Sequence, residues 1–428
     1  MFVRRIAVIG TGYVGLTTGT CLASLGHRVV CADVDEAKVE RLRRGEVAIL
    51  EPGLEELVAE NVLAGRLSFV VGGAAAVADA EVVFLCVPTP MGAGGAADLS
   101  AVEAVVAEVR HLLPEDCVIV NKSTVPVGTA ARVSALLDRP DIAVVSNPEF
   151  LREGSAVSDF LNPDRIVVGA DAQHAAERVA ALYARLGAPT VLTDAASAEM
   201  VKYAANCFLA MKLSYVNAVA ELCERLGADV LDVTEGIGYD RRIGQSFLSP
   251  GPGWGGSCLP KDTHALLQVS AAADFDFPLL RATIDTNTRQ RERMVTKIGE
   301  AIGGPLDGAR ICVLGLTFKA GTDDLRDSPA LAVAGLLRAA GAELTAYDPG
   351  VPGAVPGVTD AVTVLDDPYL AAKDAAAVVV LTEWPEFRTL DWARLADVVH
   401  QRVVVDTRNL LDFDVLRRTG FAVRGVGR

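Results

Sequence analysis

The sequence predicts an α/β protein: two Rossmann-like, doubly wound parallel-sheet domains joined by a helical middle domain with one long central helix. Three observations predict it. Short β-branched runs alternate with helical stretches as far as Ala195, the pattern of strands joined by crossover helices. Ser197 to Gly227 then runs without an internal glycine or proline and repeats apolar residues at helical spacing. After the break at Gly303-Gly304-Pro305 the strand–helix alternation returns. The expected domains are 1–195, 196–303 and 304–428.

In chain order, Arg5–Ile9 reads as a buried strand, Gly15–Leu25 as a helix, and His27–Ala32 as a second strand ending at Asp33. Further strands are expected at Val82–Val87, Cys117–Lys122, Ile142–Ser146 and Arg165–Gly169, in a parallel sheet with right-handed crossovers. Helical text resumes from Lys261 and again from Pro278 to Ile302. Ala309–Gly315 opens the last unit, followed by helix Ser328–Ala340 and strands at Glu343–Tyr347, Ala376–Leu381 and Arg402–Val405.

At 428 residues the chain is long enough for several domains. Its 51% hydrophobic and 22% charged content excludes a disordered chain. A formal net charge of −15 argues against a nucleic-acid partner, which needs a basic face. An anionic substrate must then be met by locally placed Lys, Arg or helix N-termini. No apolar run reaches the roughly 20 residues of a membrane span. The N-terminal apolar run ends at Gly10 after four residues, too short for a secretion signal. Eight cysteines without a CxxC pair read as reduced thiols in the cytoplasm. Five histidines and scattered cysteines offer no zinc ligand set, so no metal is expected.

Gly10-Thr11-Gly12-Tyr13-Val14-Gly15 follows a strand and opens a helix, the setting of a dinucleotide loop. Its glycines permit a tight turn and close approach of a pyrophosphate to the helix N-terminus. Asp33 ends the next strand, where an acid accepts ribose hydroxyls, and no arginine follows it to hold a 2′-phosphate. NAD is therefore expected over NADP.

Cys258 lies in Pro252-Gly253-Trp254-Gly255-Gly256-Ser257-Cys258-Leu259-Pro260-Lys261-Asp262, with glycines before it and a helix after it. A helix N-terminus favours the thiolate, and Pro260 suits a first helical turn. A Gly-rich turn with an incidental cysteine is the alternative. Lys202 and Asn206 lie four apart and share one helix face, which suits an oxyanion site; by itself the pair reads more readily as a solvated surface, but Tyr203, Ala204 and Ala205 make the face less than fully wet. Thr124, Glu149 and Glu153 follow expected strand ends, where open α/β sheets bind ligands. A carboxylate there activates water and a hydroxyl positions it, although each is singly a plausible loop cap.

Jointly, Gly10–Leu16, Pro88-Thr89-Pro90, Ser123–Thr129, Asn147–Gly154, Glu199–Asn206, Gly253–Asp262 and Gly315–Arg326 resemble the UDP-glucose/GDP-mannose dehydrogenase family, and its UDP-glucose branch above the others. The resemblance covers nearly the whole chain. It implies an NAD-binding domain, a helical middle that forms a homodimer, and a C-terminal domain that holds a nucleotide sugar. It also implies oxidation of a sugar C6 alcohol to the carboxylate in two hydride transfers, UDP-glucose to UDP-glucuronate.

On that resemblance Cys258 is the nucleophile, Lys202 and Asn206 stabilise oxyanions, and Asp262 orders water or relays protons. Glu149 and Thr124 serve the hydrolytic water and Glu153 faces the cofactor, with the division between the glutamates open. Gly10, Gly12, Tyr13, Val14, Gly15, Asp33, Lys38, Pro88, Thr89, Thr124, Lys261 and Arg326 match positions near NAD. Glu149, Phe150, Leu151 and Arg152, with Phe247, Leu248, Ser249, Pro250, Gly251, Gly255 and Lys319, match the nucleotide-sugar site. Arg242 matches an arginine offered by a partner subunit. The segment Phe247–Gly251 departs from the Tyr-Asn-Asn type, leaving uracil, thymine and guanine open. A two-electron β-hydroxyacid-type dehydrogenase and a non-catalytic binding protein are the rival classes; the first needs neither Cys258 in a Gly-rich loop nor a second α/β unit, and the intact set of Cys258, Lys202, Asn206 and Asp262 argues against the second.

Overall fold

A computed structural model describes residues 3–428 of the chain. They form two compact units, one comprising the residues up to Ala205 with His264–Phe275, the other Asn206–Thr263 with Asp276–Arg428.

In the first unit, eight strands make one sheet: β1 Arg5–Ile9, β2 Arg28–Asp33, β3 Leu67–Val71, β4 Val82–Leu85, β5 Val118–Asn121, β6 Ala143–Ser146, β7 Ile166–Gly169 and β8 Thr190–Thr193. Their order is β3-β2-β1-β4-β5-β6-β7-β8. Alternate residues feed two separate cores. Val8, Phe84 and Val120 pack on one face, and Ala7, Val83 and Ile119 on the other. Burial on both faces is why these strands read as unbroken apolar runs. The expectation of a wholly parallel sheet needs one correction: β7 runs antiparallel to β6. After β6 the chain spends Asn147–Gly154 on a loop, and helix Ala156–Leu161 has only 6 residues. At about 1.5 Å per residue that helix cannot carry the chain back along the sheet, so β7 enters from the same end.

The second unit holds β9 Arg310–Leu314, β10 Glu343–Tyr347, β11 Thr363–Val364, β12 Ala377–Val380, β13 Val403–Asp406 and β14 Ala422–Arg424. All pairs are parallel, in the order β11-β10-β9-β12-β13-β14. This is the doubly wound order of a nucleotide fold. Helix Ala195–Leu226 starts in the first unit and continues into the second, and helix Pro278–Ile302 packs Met294 and Ile298 into the second core. Pro278 at its start and Gly303 (φ 69°) just past its end set its limits. Among the described residues no helix is long and apolar enough to cross a membrane.

Candidate active site

In the first unit the glycine loop is a cradle that side chains would fill. Gly10 has φ 96°, and a Cβ there would meet the Cys86 carbonyl at 2.6 Å; one on Gly15 would meet the Gly10 oxygen at 1.9 Å. Gly12 caps helix Tyr13–Ser24 without a side chain, and a Cβ there would meet nothing within 4 Å. The helix N-terminus is thus left for a ligand's phosphates, with Tyr13 and Val14 in its first turn. At the end of β2, the Asp33 carboxylate accepts from the Thr11 N–H at 2.9 Å, the Thr11 hydroxyl at 2.6 Å and Lys38 Nζ at 3.0 Å. Burial raises this carboxyl, but the Thr11 and Lys38 hydrogen bonds more than offset it and hold it well below its ordinary range. These residues fit NAD: an open helix N-terminus can receive a pyrophosphate, and an ionised acid can accept ribose hydroxyls. Lys38 places a cation beside Asp33 after all, brought back by helix Glu36–Arg43, but paired with the acid.

Pro88 and Thr89 follow β4, and the Thr89 hydroxyl donates to the Thr124 carbonyl at 2.8 Å beyond the end of β5. Glu149, beyond β6, is buried and accepts from Lys202 Nζ at 2.8 Å and the Leu151 N–H at 2.6 Å. Burial pushes its carboxyl up, but Lys202, the Leu151 N–H and Lys122 together outweigh that and hold it below the usual carboxylate range. The solvated-surface alternative for Lys202 and Asn206 is excluded, since both are buried. Phe150 lies under Arg165, whose guanidinium carbon is 3.5 Å from the ring centroid. Arg152 is exposed and paired with Asp159 at 2.5 Å, turned toward its own short helix. Glu153 is half-buried and acts electrostatically on Tyr13.

In the second unit, Trp254 anchors the loop before Cys258. Its ring N–H donates to Ser214 Oγ at 2.9 Å, and Asn287 both accepts its backbone N–H and donates to its carbonyl. Gly255 lies where a Cβ would be 2.0 Å from the Asp327 carbonyl. Cys258 immediately precedes helix Leu259–Ala272, its carbonyl accepting the Asp262 N–H at 3.0 Å. One turn on, the Asp262 carboxylate accepts from Asn206 Nδ2 at 2.6 Å and Lys261 Nζ at 2.5 Å. Among the described residues Cys258 is the one cysteine that is not buried. Burial pushes the thiols of Cys21, Cys86 and Cys207 up to about 12, which leaves them inert as nucleophiles.

The remaining expected contacts also lie in this unit. Gly251 is fixed by Asn217 and Gln290, at 2.8 and 2.7 Å. In the same segment Leu248 and Pro250 are buried, Ser249 is exposed, and Phe247 takes a left-handed backbone (φ 62°). Lys319 Nζ sits 5.6 Å from the Phe318 ring centroid. Arg242 and Arg326 are exposed, held by Asp240 and Asp324, each at 2.6 Å. Asp348, at the end of β10 as Asp33 is at the end of β2, is spent on the backbone of Leu316 and Thr317, at 2.6 and 2.9 Å. Asp348 is thus committed to its own unit's backbone, unlike an acid left to accept from a ligand.

Several residues escaped the sequence reading. Arg408 lies against Gly251, with Nη1 3.2 Å from where a Cβ would stand, and is signalled only by its place after β13. Lys122 is buried beside Asn147 at 3.2 Å, and burial pushes its ammonium down to about 8. Glu199 ties helix Ala195–Leu226 to the Gly128 and Ala130 N–H groups, at 2.7 and 2.9 Å. Glu51, buried, joins Tyr13 to Gly154.

Comparison with known proteins gives one consistent result. Three models of the UDP-glucose/GDP-mannose dehydrogenase family match: the NAD binding domain over residues 4–187, the central domain over 196–289 and the UDP binding domain over 312–413. The UDP-glucose 6-dehydrogenase of Rhizobium meliloti is 46% identical over 99% of both chains. UDP-glucose 6-dehydrogenase TuaD of Bacillus subtilis is 44% identical, over 99% of this chain and 93% of the relative. The structure of a UDP-glucose dehydrogenase from Pyrobaculum islandicum superimposes with a TM-score of 0.90 at 38% identity, covering 100% of this chain and 98% of that one.

Proposed function

We infer, from the premise that this chain belongs to the UDP-glucose/GDP-mannose dehydrogenase family, that it oxidises the C6 alcohol of UDP-glucose to the carboxylate of UDP-glucuronate with NAD. NAD, when bound, accepts the hydride in each of the two oxidations. Between them, Cys258 adds to the C6 aldehyde to give a thiohemiacetal, and loss of hydride from that carbon leaves a thioester. Water hydrolyses the thioester to the acid and returns the thiol.

The observation that carries this reading is the Cys258–Asp262–Asn206 arrangement: the least buried thiol begins a helix, and the acid one turn later orients a buried amide. One Asn206 N–H goes to Asp262; the other is assigned to the oxygen that gains charge as sulfur adds. Lys202 supplies positive charge to the same oxygen. Glu149, ionised beside Lys202, takes the proton of the attacking water, with Thr124 positioning it. Glu153 faces the cofactor, as do Lys261 and Arg326. Phe247–Gly251, Gly255, Lys319 and Arg408 are assigned to the nucleotide sugar.

Phe208, Tyr215 and Leu222 are 57, 60 and 53% exposed and recur every seven residues on helix Ala195–Leu226. An apolar stripe at that spacing fits a second helix, and we assign it to a homodimer in which Arg242 is offered to the partner. Eight free thiols suit a cytoplasmic setting.

A panel of UDP-, dTDP- and GDP-sugars, each assayed for NADH and acid, tests the reading. UDP-glucose should give two NADH and one acid per sugar with no trappable aldehyde. One NADH per sugar with an aldehyde or ketone product contradicts it.

A further inference from the structure

We propose that Glu51 is a positioning residue for this reaction, bolting the cofactor loop to the loop that carries Glu149 and Glu153. The proposal rests on the dehydrogenase function assigned above.

Glu51 sits in Leu50-Glu51-Pro52-Gly53, and 6% of it is exposed. Burying a carboxylate is costly unless donors replace its water. Here they do: the Tyr13 hydroxyl donates to it, as do the Gly154 N–H at 2.8 Å and the Val157 N–H at 3.3 Å. The Gly154 N–H also lies 2.8 Å from the Tyr13 oxygen, which closes a ring of three groups. Burial, and then the bond to Glu51, push the Tyr13 phenol far above its ordinary range, so it stays protonated and donating.

The two ends of this ring matter. Tyr13 is the first residue of the helix whose N-terminus Gly12 leaves open. Gly154 closes the segment Asn147–Gly154 that carries Glu149 and Glu153. The two lie 141 residues apart in the chain, so their spacing depends on side chains rather than on a shared element. A carboxylate, which only accepts, suits three converging donors; an amide would turn an N–H toward one of them. Movement of Glu51 therefore displaces both the phosphate cradle and the carboxylate loop, whereas a plain core buttress would affect stability alone.

The experiment compares wild type, Glu51→Gln, Tyr13→Phe and the double variant by steady-state kinetics, NAD calorimetry and thermal unfolding. In folded Glu51→Gln, kcat should fall about tenfold or more, because small displacements of reacting groups are costly. The NAD Kd should rise about threefold or more while the KM for UDP-glucose changes less than that. The double variant should be no worse than Glu51→Gln by more than about twofold, because both changes open one ring. A lower melting temperature with unchanged kcat and NAD Kd overturns the proposal, as do losses that multiply in the double variant. If Glu51→Gln does not fold, Tyr13→Phe decides alone by the same two readouts. If wild type fails to yield two NADH per UDP-glucose, the dehydrogenase assignment falls, and the NAD Kd values still judge the clamp.

Discussion

Asn206 donates its amide to the Asp262 carboxylate at 2.6 Å, and both side chains are buried. This bond joins the long central helix to the first turn of the helix that Cys258 begins. It also fixes which way the Asn206 amide faces, because the carboxylate accepts only from its nitrogen. With Lys261 on the second carboxylate oxygen at 2.5 Å, Asp262 is held by two donors from two helices.

Asp262→Asn should therefore act on turnover more than on binding. The amide cannot accept from Asn206 and Lys261 as the carboxylate does, so Asn206, the donor we assign to the oxyanion, loses its orientation. Loss of one such donor typically lowers kcat by about 10²–10³, with the KM for UDP-glucose changed by only about threefold. Steady-state kinetics check this; an unchanged kcat removes Asp262 and Asn206 from the oxyanion assignment.

Asp33 and Lys38 make a charge pair, which we assign to the ribose end of the cofactor site. In Asp33→Asn the lysine loses its carboxylate partner and is left to attract a 2′-phosphate. The NAD kcat/KM should fall by roughly one to two decades, from about 1.5–3 kcal/mol for a charged hydrogen bond, while that of NADP should rise. Parallel measurements with both cofactors check it. An unaltered NAD/NADP ratio would mean that the ribose does not lie at Asp33.

Lys122 gives a dependence of stability on pH. Its ammonium is pushed by burial from 10.5 to about 8 in the folded protein. Between those values the unfolded chain binds more protons, so this residue's contribution makes stability rise with pH, and below about 8 the cost of the buried charge is fully present. The slope approaches about 1.4 kcal/mol per pH unit for one proton. Urea unfolding of wild type and Lys122→Met from pH 7 to 10, set by this window, should show wild type gaining on the variant above about pH 8. Parallel curves would place the lysine's titration elsewhere.

The exposed stripe on helix Ala195–Leu226 yields a test of assembly. Leu222→Glu puts a charge where a second helix would pack, and should convert a dimer to monomer in light scattering with little change in the melting temperature of the monomer. A wild-type protein that is already monomeric removes the dimer assignment.

What was legible in the sequence was what local spacing encodes. The glycine loop shows because a strand, three glycines and a later acid fall in fixed order; helix Pro278–Ile302 shows because proline and glycine mark both its ends. The strands that went unread, β3, β8, β11 and β14, are the edge strands of the two sheets, with β8 largely exposed. Buried polar groups were harder still. By itself Lys202 looked more like a wet surface than a site because its partner Glu149 is 53 residues away, and Glu51 reaches Val157 across 106. No periodicity carries such pairings; only the folded sheet brings them together. The antiparallel turn of β7 was missed because its cause, a helix too short to recross the sheet, lies in a length that pattern alone did not fix.

The central claim, a sugar held on Cys258 through two oxidations, is tested most directly by intact-protein mass spectrometry of Glu149→Gln after incubation with UDP-glucose and NAD. With the carboxylate we assign to water activation replaced, the enzyme should acylate and then stall, showing one added UDP-sugar acyl group that peptide mapping locates on Cys258 and that Cys258→Ala abolishes. No adduct, an adduct on another cysteine, or full acid production by Cys258→Ala would contradict the account.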